Sequence, residues 1–303
     1  VVWGVTPRTA RLAEQLGLSE HFPAVDIVRE VNDKRYSHLL EKKLGIDLPQ
    51  CALIDSVQAF EARVRTCPFD WVLKHPLGVS ARERVVGRQG KILPSAHGWA
   101  RNRLKEGWTL VFEPWVENCR NASLHFEILP GGESRFLGHC HLLTDLGGVY
   151  RGNLVTPTDP LPALEAARQI VNEVAEKGYW GLVGIDTFSG TLAGQPLERP
   201  LVEINARCSF GRLTLALGHW IPAGWSYLWW HPRQADAGRL SAPLRALPET
   251  GSGNLETGVY RLPLSVDPEQ NSGTAVLTAP TAARLESLQA QWLPQPGSRE
   301  AAR

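Results

Sequence analysis

Apolar and polar positions along the chain follow two rhythms, the 3.6-residue period of helices and the two-residue period of strands. The apolar opening, residues 1–5, reads as a short buried strand, and residues 7–16 as a helix with proline in its first turn. Asn32-Asp33-Lys34 opens a second helix that runs to about Lys43 and stops at Gly45, with Asn32 or Asp33 placed to cap it. Residues 51–54 read as a strand, 57–64 as a helix and 71–74 as a strand. A loop rich in Gly, Ser and Arg spans 75–90, and 109–113 returns to the strand pattern. From there the rhythm is antiparallel: 123–129, a turn at Pro130-Gly131-Gly132, 136–143, then a further turn at Gly147-Gly148. Residues 164–177 form a helix, with Ile170, Val171, Val174 and Ala175 at helical spacing. Strands at 181–188 and 200–205 are joined by a turn-rich stretch, 189–198. A helix begins at 213–218, a late strand falls at 259–264, a short helix at 281–290 and a frayed tail at 294–303.

Composition narrows the class. The chain has 303 residues, 43% apolar and 21% charged, enough for two or three packed lobes. Lys and Arg number 32 against 31 acidic residues, so the net charge of +1 argues against a nucleic-acid coat protein. No apolar run reaches the roughly 18 residues of a membrane span, and the opening lacks a basic leader, so neither a membrane nor a signal peptide is expected. The five cysteines, Cys51, Cys67, Cys119, Cys140 and Cys208, include no CxxC pair. That excludes a zinc ribbon or a disulfide framework and points to a cytoplasmic protein. There is no Met, although there are 11 Trp, so the chain is expected to begin inside a longer one or to lack its methionine positions.

Three segments carry chemistry. In Val202-Glu203-Ile204-Asn205-Ala206-Arg207, strand alternation puts Glu203, Asn205 and Arg207 on one face and Val202, Ile204 and Ala206 on the other. A carboxylate and an amide oxygen are hard donors suited to Mg²⁺, and the arginine suits a phosphate oxygen. An ordinary half-solvated strand carries the same alternation. Asp186 ends the preceding apolar strand. Consecutive strands usually pair, so it is expected beside Glu203 and Asn205, where two carboxylates would call for a cation. An Asp at a strand end also starts turns. Lys74 ends a third apolar strand ahead of a loop with Gly78, Ser80 and Arg82, a phosphate cradle of point charge and backbone N–H groups that is not a Walker A loop. A surface lysine before a turn reads the same way.

The order of these segments, from Asn32-Asp33-Lys34 and Leu44-Gly45-Ile46-Asp47-Leu48-Pro49 through Val72-Leu73-Lys74, Glu113-Pro114-Trp115-Val116 and Gly184-Ile185-Asp186 to Glu203-Ile204-Asn205-Ala206-Arg207, resembles the ATP-grasp superfamily over residues 30–220. The resemblance implies an α+β fold. Two α/β lobes with antiparallel sheets clasp ATP, preceded by a short remnant of an N-terminal α/β domain. It divides the chain into that remnant (1–31), the N-terminal lobes with the phosphate loop (32–115), the C-terminal lobe with the metal site (116–225), and an extension and tail (226–303). It implies that Lys34 and Lys74 touch the phosphates and that Gly78, Ser80 and Arg82 belong to the loop closing over them. Glu113, Pro114, Trp115 and Val116 would bind adenine, and Asp186, Glu203 and Asn205 would hold Mg²⁺ (or Mn²⁺). Arg207 falls near the γ-phosphate or an acyl-phosphate.

Two departures stand out: one glycine in the phosphate loop, and Asn121 where relatives carry Glu or His on the nucleotide sugar. The short preceding segment implies a minimal substrate platform or a missing natural N-terminus. The implied activity is an ATP-dependent ligase joining a carboxylate to an amine or thiol through an acyl-phosphate, with ADP and phosphate released. Lys74, Arg151 and Arg207 are its catalytic candidates. A phosphotransferase on the same fold and a non-catalytic nucleotide-binding module are the alternatives. The expected partners are small carboxylates and amines, amino acids or small peptides among them, and a second copy in a homodimer.

Other residues read as structural. His139 and His141 share a strand face with Cys140 turned away and meet no metal spacing rule. Cys208 is expected to be an inert buried thiol. Arg151 is either a substrate-carboxylate ligand or a turn arginine. Trp220, Trp225, Trp229 and Trp230 suit core packing or a subunit contact.

Overall fold

The computed structural model describes residues 3–78, 83–145, 149–157, 163–231, 245–246, 255–262 and 274–292. The expected turn at Gly147-Gly148, the loop residues Ser80 and Arg82, and the tail at 294–303 lie outside the described residues. The chain divides into two compact units, Val1–His139 with Leu161–Ser209, and Cys140–Pro160 with Phe210–Arg303.

In chain order the elements begin with helices α1 (Pro7–Gln15), α2 (Val25–Val31) and α3 (Lys34–Leu44). Strand β1 (Ala52–Ile54), α4 (Val57–Thr66), β2 (Trp71–Lys74), β3 (Arg84–Gly87), α5 (Pro94–Lys105) and β4 (Leu110–Pro114) follow. Three strands come next: β5 (Glu117–Ile128), β6 (Ser134–Thr144) and β7 (Tyr150–Val155). Then come α6 (Leu164–Glu176), β8 (Gly181–Leu192), β9 (Gln195–Asn205), α7 (Phe210–Ala216) and β10 (Ser226–Trp230). The chain closes with β11 (Arg245–Ala246), β12 (Gly258–Arg261), β13 (Ala275–Ala279) and α8 (Ala282–Trp292).

The first unit holds an antiparallel sheet in the order β1-β4-β2-β3. Its apolar face, Ile54, Trp71, Leu73, Leu110 and Phe112, packs on Phe60 and Val64 of α4 and Ala96 and Ala100 of α5. Gly87 has no side chain because its neighbour in register is Trp71, whose Cζ2 would lie 2.1 Å from an added Cβ. Alternation turns Lys74 and Glu113 to the opposite face. In the same unit β5, β8 and β9 pair antiparallel in that order. Leu124, Phe126, Val183, Ile185, Leu201 and Ile204 form one core with Ile170, Val171 and Val174 of α6 and Val28, Val31 and Leu40 of α2 and α3. Burying each of these side chains stabilises by about 1.5–3 kcal/mol, which outweighs the tenths contributed by helix propensity. α3 starts where Asp33 accepts the N–H of Arg35 at 2.8 Å and stops at Gly45, whose φ of 67° is open to glycine.

In the second unit, the end of β6 pairs with β7, β7 with β10, β10 with β13 and β13 with β12, all antiparallel, and β11 joins β12 in parallel. Leu228, Trp230 and Leu277 lie in a core with Leu285 of α8. Tyr227, Tyr260 and Val276 pack with Leu217 and Ile221, joined by Trp220, Trp225 and Trp229. The tryptophan cluster is thus packing, as expected.

Four expectations change. Residues 3–5 are bend and coil, not strand. The loop at 75–90 contains β3. The stretch 189–198 is mostly strand: Leu192 faces Gln195 across a two-residue turn at Ala193 and Gly194, both with positive φ, as a tight hairpin requires. Leu201 rather than Val202 packs with Ile204, because β9 bulges: the two steps from Asp186 to Phe188 on β8 match four steps from Glu203 back to Arg199 on β9.

Candidate functional site

The first unit gathers most of the expected residues. Asp186 of β8 lies directly opposite Glu203 of β9, and Gly184 opposite Asn205, so Asp186, Glu203 and Asn205 share the face away from Ile185 and Ile204. Asn205 donates its amide N–H to Asp186 Oδ2 at 3.0 Å and accepts from Arg207 Nη2 at 2.6 Å. Asn32 Oδ1 accepts the N–H of Ala206 at 3.0 Å and pins the end of β9 beside α3.

Lys34 is the first residue of α3. Its Nζ lies 2.8 Å from Glu203 Oε2 and donates to the Gly78 carbonyl at 2.6 Å. Its backbone N–H meets the Pro76 carbonyl at 3.0 Å, which ties the helix start to the segment after β2. Lys74 Nζ is 2.5 Å from Glu113 Oε2. Glu113 is therefore a buried side-chain anchor as well as part of the expected adenine segment. In that segment Val116 is buried, and the Trp115 N–H is taken by the Asp70 carbonyl at 2.7 Å. The Trp115 ring, partly exposed, lies 5.5 Å from the Arg84 guanidinium carbon. Asn121 stands on β5 opposite Phe188 of β8.

Arg151 belongs to the second unit. It sits on β7, ion-paired with Asp145 at 2.6 Å, and its carbonyl accepts the His231 N–H. Cys140 is fully buried and its thiol points to Asn153 Oδ1 at 3.6 Å. Among the described residues no group of three or more His, Cys, Asp or Glu side chains is placed to hold a metal.

Electrostatics separate the two carboxylates. Burial, and then the charge of Glu203, pushes the Asp186 carboxyl up to about 7, against hydrogen bonds from Ser123 and Asn205. Burial also opposes ionisation of Glu203, but Lys34, by charge and hydrogen bond, holds it below the usual carboxylate range, with Lys74 and Arg207 adding to the field. Two facing carboxylates with an amide oxygen beside them are a hard-oxygen donor set short of positive charge on the Asp186 side, so the residues fit a divalent cation of the Mg²⁺ type. For its oxygen to join, Asn205 must give up its present bonds to Asp186 and Arg207.

Sequence reasoning missed two buried residues. Arg199 of β9 forks between Glu41 of α3 and Glu113 of β4, with all three side chains no more than 5% exposed. Lys34, His38 and Glu41 recur at helical spacing, and Ser37, His38 and Glu41 are all buried, a polar stripe that helical periodicity alone exposes in the sequence. Arg199 carried no such signal: alternation counted back from Glu203 puts it on the same face, but its burial and its fork to Glu41 and Glu113 come from elements distant in sequence.

No protein-family model matches the chain. Solved structures do. The biotin carboxylase domain dimer of the Hydrogenobacter thermophilus 2-oxoglutarate carboxylase, in complex with MgADP, ADP and bicarbonate, matches with a TM-score of 0.63 and 16% identity over 93% of this chain and 70% of that one. N5-carboxyaminoimidazole synthetase from Staphylococcus aureus, complexed with ADP, gives 0.62 and 13% over 92% and 77%. N5-carboxyaminoimidazole ribonucleotide synthetase from Thermus thermophilus gives 0.58 and 16% over 96% and 79%. These likenesses, with the mixed helices and antiparallel sheets, make the fold that of the ATP-grasp superfamily, α+β in class.

Proposed function

We propose that this chain, with its ATP-grasp fold, is an ATP-dependent ligase that joins a carboxylate to an amine, or to a thiol, through an acyl-phosphate. One observation carries the reading: Asp186 and Glu203 stand side by side with the Lys34 ammonium on Glu203, a charge pattern suited to a metal-bound polyphosphate. The ADP, ATP or MgADP in similar structures supports the same nucleotide and metal here. Asp186, Glu203 and the Asn205 amide oxygen would hold Mg²⁺ or Mn²⁺, which when bound neutralises phosphate charge. Lys34 and Lys74 bind the phosphate oxygens, with the Gly78 carbonyl holding the Lys34 ammonium from the side of the expected phosphate loop. Glu113, Pro114, Trp115 and Val116 line the adenine side, with Asn121 near the sugar.

A substrate carboxylate oxygen attacks the γ-phosphorus, the bond to the β-phosphate oxygen breaks, and ADP leaves. The amine then attacks the acyl carbon, the carbon–oxygen bond to phosphate breaks, and the amine proton passes to phosphate or solvent. Arg207 orients the anionic carboxylate and its acyl-phosphate. The main obstacle is approach of an anion to a polyanion, so fixed cations supply most of the advantage. No side-chain nucleophile is needed. Amino acids or small peptides are the proposed substrates and a second copy of the chain the proposed partner, the latter supported by the dimer of the similar biotin carboxylase domain. Five thiols outside any disulfide suit a cytoplasmic setting. Among the described residues no helix is long and apolar enough to cross a membrane.

A screen of carboxylate and amine pairs with Mg²⁺ and ATP, read by ADP release and mass spectrometry, tests this. An amide with stoichiometric free phosphate is expected for a pair that turns over. A stable phosphorylated product would make the chain a phosphotransferase instead.

A further inference from the structure

Four charged side chains, Lys74, Glu113, Arg199 and Glu41, form one hydrogen-bonded network. Arg199 donates from Nε to Glu41 Oε1 at 2.8 Å and from Nη2 to Glu41 Oε2 at 2.9 Å. It also donates from Nη1 to Glu113 Oε2 at 2.7 Å and from Nη2 to Glu113 Oε1 at 2.9 Å. Glu113 Oε2 accepts from Lys74 as well. The four charges sum to zero, and the Phe188 ring lies 6.0 Å from the guanidinium carbon. Burying such a network is an inefficient way to stabilise a fold, since well-packed apolar side chains of similar volume often do as well or better. What it provides is geometry. Both Glu113 oxygens are held by a planar fork that is itself fixed from behind by Glu41, so the carboxylate has one orientation. Burial opposes the Glu113 charge, yet Arg199 and Lys74 keep its carboxyl well below the usual range, so it stays an acceptor. An ammonium has three donors, and Glu113 takes one. Lys74 makes no other hydrogen bond among the described residues and adds its field to Glu203.

We propose that Arg199, backed by Glu41, is a positioning residue. It locks the Glu113 carboxylate so that Lys74 presents its two remaining N–H donors at a fixed point to the polyphosphate. This rests on reading the cleft as a Mg·ATP site. A lysine at 199 keeps the charge but cannot serve two carboxylates with a planar fork.

The test is calorimetric titration with Mg·ATP, alongside thermal melting, for the wild type, Arg199→Lys, and the paired Glu41→Met with Arg199→Met. The pair removes one charge of each sign and leaves Glu113 with Lys74 alone. Both variants are expected to bind Mg·ATP at least ten-fold more weakly while melting cooperatively, the paired variant near the wild-type temperature. Should Arg199→Lys fail to fold, the charge-balanced pair decides. A folded variant of either kind that binds within two-fold of wild type overturns the positioning role and leaves the ligase reading standing. A wild type that binds no Mg·ATP overturns the ligase reading itself, and the positioning role with it.

Discussion

Glu203→Gln should reduce Mg·ATP-dependent turnover by at least about 10²-fold, the scale of losing one preorganised electrostatic group. The substitution is nearly isosteric. Lys34 Nζ, 2.8 Å from Glu203 Oε2, retains an oxygen acceptor, and the backbone pairing of Asp186 with residue 203 is untouched. Removing one of two facing carboxylates also relieves their repulsion, so the melting temperature should hold or rise. The donor set, however, falls from two carboxylates to one, and hard divalent cations discriminate strongly by ligand charge. Loss of turnover with retained stability identifies Glu203 as a working ligand. Turnover within a few-fold of wild type would remove it from the site. The steady-state ADP-release rate and a melting curve on the same preparation supply both readings.

Arg199→Met should destabilise the chain by about 3–5 kcal/mol, the cost of stranding buried charges. Glu41 is 0% exposed and Glu113 4%, and both lose a two-pronged donor when the guanidinium goes. Lys74 still faces Glu113, but no other ion pair to Glu41 is present among the described residues. Adding Glu41→Met to that background should recover most of the loss, because the remaining Glu113–Lys74 pair is neutral. Urea denaturation of the two single variants and the double closes the cycle. A cost below about 1 kcal/mol for Arg199→Met, the range of exposed pairs, would mean that the network is solvated.

The alternation around Glu203 and the short link from Asp186 made the carboxylate pair legible, because pairing of consecutive strands is a local consequence of chain order. Lys74 was legible from its place at the end of a strand before a Gly- and Ser-containing loop, and Lys34 only through the resemblance to the ATP-grasp superfamily. Arg199 was not: it keeps the Glu203 face, but its partners Glu41 and Glu113 lie 158 and 86 residues away in sequence, and Leu201, drawn into the core with Ile204 at the bulge, interrupts the polar run between them. Glu41 sits in a helix with Lys34, Arg35, Lys42 and Lys43, and although its spacing from Lys34 and His38 marks a polar stripe, nothing local says that the stripe is buried against Arg199. Helix α5 also went unread. Gly98 interrupts it, and Ala96 and Ala100 are its only fully buried residues, so its periodicity is faint. Strand β3 is four residues inside a Gly- and Arg-rich stretch and is held by its register with β2, not by its own pattern.

Isothermal titration of the wild type with ATP, run with Mg²⁺ and again with excess EDTA, and repeated on Glu203→Gln, reads the nucleotide cleft directly. One site per chain is expected in the wild type, weakened at least ten-fold both by EDTA and by the substitution. Absence of binding, or equal affinity in all three conditions, would contradict a metal-held polyphosphate between residues 186 and 203.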